Sequence, residues 1–468
     1  MTCRAVISND IRITNYPKYT LEWCEKRLVL RNPDYIKKQR MGFWIGNTPE
    51  YLFLYQKVDN TLILPYGLHE GLNEILPADT VYTSNFSPLK PVDYGPKEVG
   101  LYEYQHNAVE ALYKAQGGLL RAPAGSGKTQ IGIALIKKFG VRTLWLTHTS
   151  DLLTQSMQRA KQYMDPGLFG TITAGKVNIG HGVTFATVQT MAKLDLSQYR
   201  DCWDLIIVDE CHRVCGSPTS MTQFYKVLNN LAARYKYGLS ATLHRADGLI
   251  KSTFCLLGPV AYIVSGDEVE DTVMQVTVQP IGTEVSLPPG TLNSDGTINY
   301  TNVITWLATH GTRNTMIAGM LDPKYSTLVL SDRLEQLREL RNFLPEHIRE
   351  KAAMLDGSMQ SVTGRLKREE ILESMRSGEL KILFATYQLA KEGLDIPRLE
   401  RLYLATPVKD YAIVTQAIGR VARTFEGKAD PVVYDFVDED RFFYNLYKAR
   451  VTTYKKNNCI IKDFIYEY

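Results

Sequence analysis

The sequence predicts an α/β protein with two tandem parallel-sheet domains, preceded by a small N-terminal α+β domain. Short apolar runs alternate with segments of helical periodicity from about residue 100 to residue 264, and the alternation restarts after residue 310. A separate leading block precedes both and ends in a proline-bearing stretch. Such alternation is typical of a wound parallel sheet, because each helix returns the chain to the start of the next strand. We therefore expect two similar domains with a cleft between them.

Changes in this pattern set the domain boundaries. Residues 87–96 (SPLKPVDYGP) are predicted to be a linker, and the turn-rich sequences LPPG and NSDG indicate a connector or insertion further along the chain. The predicted divisions are a leading domain 1–97, a first sheet domain 98–264, a connector 265–310, a second sheet domain 311–440 and a helical tail 441–468.

Each strand of the two sheets is predicted from a short, apolar, β-compatible run. In the first domain these runs are 118–121, 143–147, 183–187, 205–208 and 237–240. In the second they are 327–330, 381–386, 401–406 and 432–437, with helices between them such as 333–343 and 363–375.

Composition restricts the class of protein. The 468 residues are 44% hydrophobic, which excludes a disordered chain, and the net charge of +4 means that any basic surface must be local. No run reaches the roughly 18 apolar residues of a membrane span, and the polar N-terminus lacks a signal peptide. Seven scattered cysteines without a CxxC pair indicate a reducing compartment, and Cys211, His212 and Cys215 lack the further ligands that zinc needs. We expect a cytoplasmic protein with no membrane partner.

Residues 122–129 (APAGSGKT) follow an apolar strand and precede a helical run, which is the context of a phosphate-binding loop. The glycines let backbone N–H groups turn towards phosphate oxygens, and the helix N-terminus adds partial positive charge. Lys128 is expected to reach the terminal phosphates of ATP, and the Thr129 hydroxyl to ligate Mg²⁺. An ordinary glycine-rich turn is the alternative. The loop residues predicted to bind ATP are Ala124, Gly125, Ser126, Gly127, Lys128 and Thr129.

Residues 205–212 (LIIVDECH) form an apolar run that ends in two carboxylates. The C-terminal end of a strand beside a phosphate-binding loop is where a second group that positions Mg²⁺ belongs. Asp209 is expected to hold the ion, Glu210 to act as general base on the attacking water, and His212 to sense the γ-phosphate. A solvated strand end is the alternative, and the preceding phosphate-binding loop favours the catalytic interpretation.

Three sequences in order, DECH at 209–212, YGLSAT at 237–242 and QAIGRVAR at 416–423, resemble those of superfamily 2 helicases of the DEXH-box kind. The resemblance covers residues 100 to about 440 and implies two RecA-like domains that use ATP and Mg²⁺. It implies that Gln105 contacts adenine and that Ser240 and Thr242 couple hydrolysis to nucleic-acid binding. The backbone-contact residues that it implies in the first domain are Thr147, His148, Thr149, Thr187, Gln189 and Thr190.

The same resemblance assigns roles in the second domain. Ser331, Thr386 and Tyr387 match the nucleic-acid backbone contacts, and Gly393 and Asp395 match the segment that closes on the nucleotide. The residues that match the catalytic arginine motif are Gln416, which would position water or the γ-phosphate, and Arg420 and Arg423, the arginine fingers. Alone, the two arginines would indicate a solvated helix face.

Residues 239–249 and 257–260 resemble the branch that contains XPB and the phage recombination helicases, and short segments of the leading block resemble the first domain of UvsW-type helicases. The resemblance implies a DNA-binding leading domain in a bacterial or phage-infected cell. Between residues 26 and 40 there are six basic residues and one acidic residue, with Tyr35, Phe43 and Trp44 close by. Basic groups neutralise phosphates and aromatic rings stack on bases. A solvated surface with aromatic core residues is the alternative, and the tail is expected to pack on the second domain or to contact nucleic acid.

The first hypothesis is an ATP-dependent DNA helicase or translocase that remodels branched DNA, such as forks, junctions and R-loops, in recombination, replication or repair. An RNA helicase is the second, because backbone contacts do not distinguish DNA from RNA. The third is an ATP-switched motor subunit of a defence or restriction assembly. We expect a monomer when the protein is free, with nucleic acid as its partner.

Overall fold

The computed structural model describes residues 2–123, 125–243, 247–265, 268–269, 273–287, 291, 298–356, 362–391, 394, 396–408 and 410–466. The chain divides into two compact units, Met1–Ala122 with Gly127–Ser265, and Pro123–Ser126 with Gly266–Tyr468. Each contains a large, mainly parallel sheet, which confirms the predicted α/β class. In the described part of the chain, every helix is too short or too polar to cross a membrane.

The first unit contains fifteen strands and nine helices in the residues described. The strands are β1 Arg4–Ile7, β2 Asp10–Thr14, β3 Val29–Arg31, β4 Tyr51–Phe53, β5 Gln56–Val58, β6 Thr61–Pro65, β7 Val81–Ser84, β8 Gly118–Arg121, β9 Thr143–Thr147, β10 Gly170–Thr173, β11 Lys176–Asn178, β12 Val183–Thr187, β13 Leu205–Asp209, β14 Tyr235–Ser240 and β15 Val260–Ile263. The helices are α1 Lys18–Arg27, α2 Pro33–Arg40, α3 Leu72–Ile75, α4 Glu103–Ala115, α5 Lys128–Phe139, α6 Ser150–Ala160, α7 Val188–Met191, α8 Gln223–Asn230 and α9 Ile250–Leu257.

The second unit contains eight strands and eight helices in the part of the chain described. Its strands are β16 Thr277–Thr283, β17 Thr327–Ser331, β18 Ala352–Met354, β19 Ile382–Thr386, β20 Arg401–Leu404, β21 Val432–Asp438, β22 Ile460–Ile461 and β23 Ile465–Tyr466. Its helices are α10 Tyr300–Ala308, α11 Gly311–Gly319, α12 Leu334–Phe343, α13 Glu346–Arg349, α14 Val362–Ser377, α15 Tyr387–Lys391, α16 Tyr411–Val421 and α17 Arg441–Lys456.

The large sheet of the first unit places the predicted motifs at one edge. Its order is β11-β10-β12-β9-β13-β14-β8-β15, and it is parallel except between β10 and β11. The phosphate-binding loop follows β8, the YGLSAT sequence ends β14, and the acidic box ends β13. Because β14 lies between β8 and β13, the carboxyl ends of three neighbouring strands meet where ligands bind in open parallel sheets.

The large sheet of the second unit confirms the four strands predicted there and adds four that were not predicted, β16, β18, β22 and β23. Its order is β18-β19-β17-β20-β21-β16-β22, with β23 also paired to β16, and its pairings are parallel. The prediction that 265–310 is a connector is therefore wrong for β16, whose Val278 and Ile281 are buried. Pro280 made β16 difficult to predict from the sequence, because proline is unfavourable inside a sheet. It falls between the pairings of β16 with β22 and with β23, so its missing N–H interrupts neither.

The C-terminal segment packs on the sheet of its own unit. Arg450 of α17 is buried, and its Nη2 donates to Oδ1 of Asp435 at 2.8 Å. The hydroxyl of Tyr454 donates to Oδ2 of the same carboxylate at 2.6 Å. A buried guanidinium needs such a partner, because leaving it unpaired would cost several kcal/mol, about 3–5 in measured cases. This confirms the packing alternative for the predicted helical tail, which ends in two short strands.

The leading block belongs to the first compact unit and packs on it through a close backbone approach and a side-chain hydrogen bond. Its main sheet has the order β5-β6-β2-β1-β7. A Cβ atom added at Gly67 would lie 2.4 Å from the backbone nitrogen of Gly258 and 2.5 Å from the carbonyl oxygen of Phe254. Nδ2 of Asn9 donates to the carbonyl oxygen of Asn229 at 2.7 Å. Glycine at position 67 therefore lets this block approach α9 closely.

The proline-bearing stretch 87–96 is not a free linker. The backbone N–H of Val92 donates to the carbonyl oxygen of Gly140 at 2.8 Å. The hydroxyl of Tyr94 donates to the carbonyl oxygen of Val141, also at 2.8 Å. Tyr94 is buried. The prolines keep the segment out of regular structure, while these bonds fix it to the first unit.

Candidate ATP-hydrolysis and nucleic-acid site

The phosphate-binding loop has the backbone that its glycines allow. Gly125 and Gly127 have φ angles of +87° and +74°, in the region that favours glycine. The buried Ser126 hydroxyl donates to the carbonyl oxygen of Pro123 at 2.7 Å and so fixes the turn. The Lys128 ammonium donates to the carbonyl oxygen of Ala122 at 3.4 Å. Thr129 follows in the first turn of α5, where backbone N–H groups are available to an anion.

Gln105 contacts the phosphate-binding loop directly. It is buried on α4, and a Cβ atom at Gly127 would lie 2.4 Å from its Nε2. Its Oε1 accepts from the backbone N–H of Tyr102 at 2.9 Å, and Nε2 donates to the hydroxyl of Tyr104 at 3.4 Å. The glutamine therefore packs directly against the phosphate-binding loop at Gly127.

The two carboxylates of the acidic box have different backbones and different partners. Asp209 is buried at the end of β13, and its Oδ1 accepts from the backbone N–H of Glu210 at 3.0 Å. Glu210 has φ +52° and ψ +48°, a left-handed conformation that is uncommon for a residue with a side chain. It directly precedes the 3₁₀ turn Cys211–Arg213.

His212 joins the acidic box to the end of β14. Its Nδ1 lies 3.2 Å from Oε2 of Glu210 and 3.0 Å from the hydroxyl oxygen of Ser240. The Ser240 hydroxyl donates to the carbonyl oxygen of Thr242 at 2.7 Å, so the imidazole N–H is the donor to Ser240. A continuous path of polar contacts therefore runs from Glu210 through His212 and Ser240 to Thr242.

Burial and neighbouring charge move the pKa values of this cluster in opposite directions. Burial, followed by the negative charge of Glu210, raises the pKa of Asp209 against the opposing charge of Lys128. Burial would also raise the pKa of Glu210, but the His212 side chain and the Lys128 ammonium outweigh it and lower that pKa. The lowered pKa keeps Glu210 ionised, which is the form that can accept a proton from water. The positive charge of Lys128 thus favours the ionised form of both carboxylates.

The cluster fits an ATP-bound Mg²⁺ and an attacking water. Oε2 of Glu210 is buried and, within the described ranges, has no hydrogen bond of good geometry, so it retains acceptor capacity for a donor such as water. Asp209 presents a hard carboxylate oxygen at a strand end beside the phosphate-binding loop. Mg²⁺ commonly uses one or two carboxylates together with phosphate oxygens and water.

The hydroxyl groups predicted to contact nucleic acid are already used within the protein. In the first unit Thr147 donates to the carbonyl oxygen of Thr149 at 3.0 Å, and the hydroxyls of Thr187 and Thr190 lie 3.0 Å apart. Nε2 of Gln189 donates to the carbonyl oxygen of His148 at 2.6 Å, which ties two of the predicted segments together. The Thr149 and Thr190 hydroxyls act as acceptors in their hydrogen bonds, so they and main-chain N–H groups can still donate to a phosphate backbone.

His148 is polar, buried and incompletely satisfied. Neither ring nitrogen has a hydrogen-bond partner in the residues described. Burial, followed by the charge of Arg213, lowers its pKa to about 4. The sequence did not single out Arg213, which shares the 3₁₀ turn of His212; its position directly after the acidic box was the available signal.

In the second unit the predicted hydroxyls are also occupied or buried. The buried Ser331 hydroxyl donates to Oε1 of Gln336 at 2.7 Å, and the Tyr387 hydroxyl donates to the carbonyl oxygen of Thr406 at 2.7 Å. Thr386 accepts from the backbone N–H of Leu389 at 3.4 Å. Tyr387 is therefore a core side chain, and a contact with nucleic acid at this position would come from its backbone.

The predicted arginine motif lies at the end of α16. Gln416 and Arg420 are four residues apart and share a helix face, whereas Arg423 lies beyond the last helical residue, Val421. Nη1 of Arg420 donates to the carbonyl oxygen of Leu394 at 2.6 Å, and Oε1 of Gln416 is buried without a partner in the part of the chain described. The two arginines are half-buried, so a solvated helix face does not describe them. Three predicted site residues, Ala124, Gly393 and Asp395, lie outside the described residues.

Comparison with known proteins identifies the family. Residues 98–245 match the family described as type III restriction enzyme, res subunit, and residues 313–425 match the helicase conserved C-terminal domain. The probable helicase D10 of Escherichia phage T5 is 25% identical over 341 residues, 72% of each chain. The DNA 3'-5' translocase XPB2 of Sulfurisphaera tokodaii is 25% identical over 390 residues, covering 75% of this chain and 85% of that protein. The chain is a superfamily 2 helicase of the branch that contains XPB and phage helicases.

As a member of this family, the helicase is a nucleic-acid-dependent ATPase. A solved fragment of a putative HsdR subunit of a type I restriction enzyme from Vibrio vulnificus shares its fold, with a TM-score of 0.58 and 20% identity over 79% of this chain and 69% of that one. The predicted order of motifs agrees with the order of the two matched families. The helicase therefore uses ATP and acts on nucleic acid.

Proposed function

We propose that this helicase is an ATP-driven DNA translocase that remodels branched DNA in recombination, replication or repair. The observation that supports this most strongly is the contact path from Glu210 through His212 and Ser240 to Thr242. It links the proposed general base to the segment after β14 that the family resemblance assigns to coupling. A change at the nucleotide can thus be transmitted to nucleic-acid contacts through one short path.

Each side chain has a proposed task in hydrolysis. Lys128 binds the terminal phosphates, Asp209 and Thr129 hold Mg²⁺, and Glu210 takes the proton of the attacking water. When bound, Mg²⁺ supplies positive charge next to the phosphate oxygens. Arg420 and Arg423 stabilise charge on the transferred phosphoryl group, and their effect depends on closure of the two domains.

The choice of DNA rests on relatives and on local charge. The relative from Sulfurisphaera tokodaii is named a DNA 3'-5' translocase, and one from Mycobacterium tuberculosis, 24% identical over 378 residues, is named a DNA 3'-5' helicase. The leading block adds a basic segment between residues 26 and 40 to the first unit. Basic residues bind phosphates without regard to sequence, as a translocase requires. The free thiols of all seven cysteines support a reducing, cytoplasmic setting.

Two other functions remain as candidates because particular relatives favour them. A putative ATP-dependent RNA helicase of Acanthamoeba polyphaga mimivirus is 25% identical over 442 residues, 92% of this chain and 79% of that protein. RNA remodelling would then be the activity. The restriction-enzyme name of the family matched by residues 98–245 favours a motor subunit of a defence assembly.

A nucleic-acid panel separates these candidates. ATP hydrolysis and strand displacement are measured with forked DNA, four-way junctions, linear duplex DNA and duplex RNA with a single-stranded tail. The proposal predicts the highest stimulation and displacement with the branched DNA substrates. Displacement of RNA alone would show the RNA function instead, and hydrolysis without displacement on any substrate would favour the motor subunit.

A further inference from the structure

The leading block contains a closed excursion, residues 33–49, which we call the arm. Asn32 joins its two ends: the backbone N–H donates to the carbonyl oxygen of Glu50 at 2.8 Å, and Nδ2 donates to that of Pro49, also at 2.8 Å. Oδ1 of Asn32 also accepts from the backbone N–H of Asp34 at 3.0 Å and caps α2. Asn32 is buried, so the arm projects from a fixed base.

The helix of the arm does not pack on a core. None of the residues of α2 is buried, whereas a surface helix normally presents an apolar stripe to the protein. Its last turn carries Lys37, Lys38 and Arg40, and Asp34 is the one acidic residue in the arm sequence. Nζ of Lys38 donates to the hydroxyl oxygen of Thr48 at 2.6 Å, which ties the helix to the returning chain. The arm therefore presents a cationic surface.

Two adjacent aromatic rings follow this helix in solvent. Phe43 is 62% exposed and Trp44 is 87% exposed. A Cβ atom added at Gly46 would lie 2.8 Å from the Trp44 ring, so glycine leaves room for the ring beside the backbone. Exposed large apolar groups next to one another are informative because burial would otherwise stabilise them. A ligand that covers both rings would recover that free energy.

The chemistry of the arm fits unpaired nucleotides. Lysine and arginine neutralise phosphates, and aromatic rings stack on bases of any sequence. Within a duplex the bases are already stacked on each other and present their edges in the grooves. A flat ring beside phosphate-binding groups therefore matches a single strand better than a continuous duplex.

We propose that the arm binds a single-stranded segment of the nucleic acid, with bases stacked on Trp44 and Phe43 and phosphates held by the basic residues of α2. The inference rests on the proposed function and deepens it, because it assigns the unpaired strand of a branched substrate to this surface. The arm is fixed to the first unit at its base, so a strand held there moves with that unit.

Binding of the full-length protein to an oligothymidylate of about 20 nucleotides tests the inference, since single-strand sites are of that size or smaller. Trp44→Ala should weaken binding by about tenfold or more, because stacking on one base contributes roughly that factor. Trp44→Phe should retain binding. Tyr82→Ala is the matched control, because Tyr82 is an aromatic residue of the same block, 43% exposed on β7 and outside the arm.

Tryptophan fluorescence provides a second measurement. Stacking should quench the emission of Trp44 when wild type binds the oligonucleotide, and Trp44→Phe should bind without that loss of emission. Unchanged affinity in Trp44→Ala would overturn the inference and leave the two rings to a protein partner. An equal loss of affinity for blunt duplex and for single strand in Trp44→Ala would also overturn it, since the ring would then not select unpaired bases. Stimulation of ATP hydrolysis by branched DNA is measured in the same samples. It distinguishes failure of the inference about the arm from failure of the proposed function, because the proposed function fails if the wild-type protein shows no stimulation.

Discussion

At the scale of single residues, Glu210 is the position that connects backbone geometry to chemistry. Its left-handed backbone, with φ +52°, is of a kind that costs about 1–3 kcal/mol for a residue other than glycine and that clusters at active sites. The sequence predicted the strand and the acid at its end, and the role of that acid as general base remains a proposal. The sequence could not predict the conformation, because a preference of about 1–3 kcal/mol is overridden by tertiary contacts such as those around His212.

Replacing Glu210 by glutamine should separate nucleotide binding from hydrolysis. Glutamine keeps the size of the side chain but cannot accept a proton, and general-base catalysis contributes about 10²–10⁴-fold to a rate. Phosphate release should fall by that order while a fluorescent ATP analogue still binds. Glu103→Gln, an exposed carboxylate at the start of α4, is the control. Hydrolysis at the wild-type rate in Glu210→Gln would exclude this residue as the base.

Lys236 should make the stability of the first unit depend on pH. The ammonium is buried on β14, donates to the carbonyl oxygen of Leu228 at 2.8 Å and lies 4.6 Å from the centre of the Tyr66 ring. Burial lowers its pKa to about 7, against the opposing charge of Asp10. An unfolded lysine has a pKa of about 10.4. Between about pH 7 and 10.4 the unfolded chain therefore binds a proton that the folded protein does not. The destabilisation of the folded state by Lys236 is complete below about pH 7 and decreases as the pH rises towards 10.4.

Urea unfolding between pH 6.5 and 9 checks this, with the fluorescence of the buried Trp145 and Trp203 as the signal. The wild-type midpoint should rise with pH, and Lys236→Met should have a higher midpoint near neutral pH and lose most of that slope. The gain should be a few kcal/mol, about 1–4, as found when buried charges are replaced by apolar groups of similar volume. Parallel pH profiles for the two proteins would show that the lysine is not the cause.

At the scale of elements, the sequence predicted the parallel strands well where an apolar run was continuous. The predicted runs 118–121, 143–147 and 183–187 coincide with β8, β9 and β12. Two of the strands that were missed lack this signal, whereas β15, with the apolar sequence VAYI, was missed despite it. Pro280 interrupts β16, and β11 (Lys176–Asn178) is exposed throughout, so neither shows the apolar run of a buried parallel strand.

Docking of the leading block depends on a close backbone approach that periodicity does not reveal. Gly67→Ala should destabilise the first unit by about 1–3 kcal/mol, the usual cost of inserting a methyl group into a packed contact. Gly71→Ala is the matched control, because it lies in the same 3₁₀ turn and an added Cβ would meet nothing within 4 Å. Thermal unfolding compares the two variants. Equal melting temperatures would show that Gly67 does not hold the block in place.

At the scale of the whole molecule, the order of motifs along the chain carried the functional prediction. Two sheets, each with its motifs at the carboxyl ends of strands, follow from alternating patterns that a single sequence contains. The inclusion of the leading block in the first compact unit does not follow from the sequence pattern. Contacts such as that of Asn9 with Asn229 join residues far apart in sequence. Their side chains are ordinary polar groups without a recognisable pattern.

The central claim is that the two units contribute jointly to one hydrolysis reaction. ATP turnover by Arg420→Ala in the presence of forked DNA tests it most directly, with Arg338→Ala, an exposed arginine of α12, as the control. We predict that turnover falls by about 10³-fold or more, as on removal of other catalytic arginines, while ATP binding to the first unit persists. Turnover by Arg420→Ala equal to that of Arg338→Ala would contradict the claim.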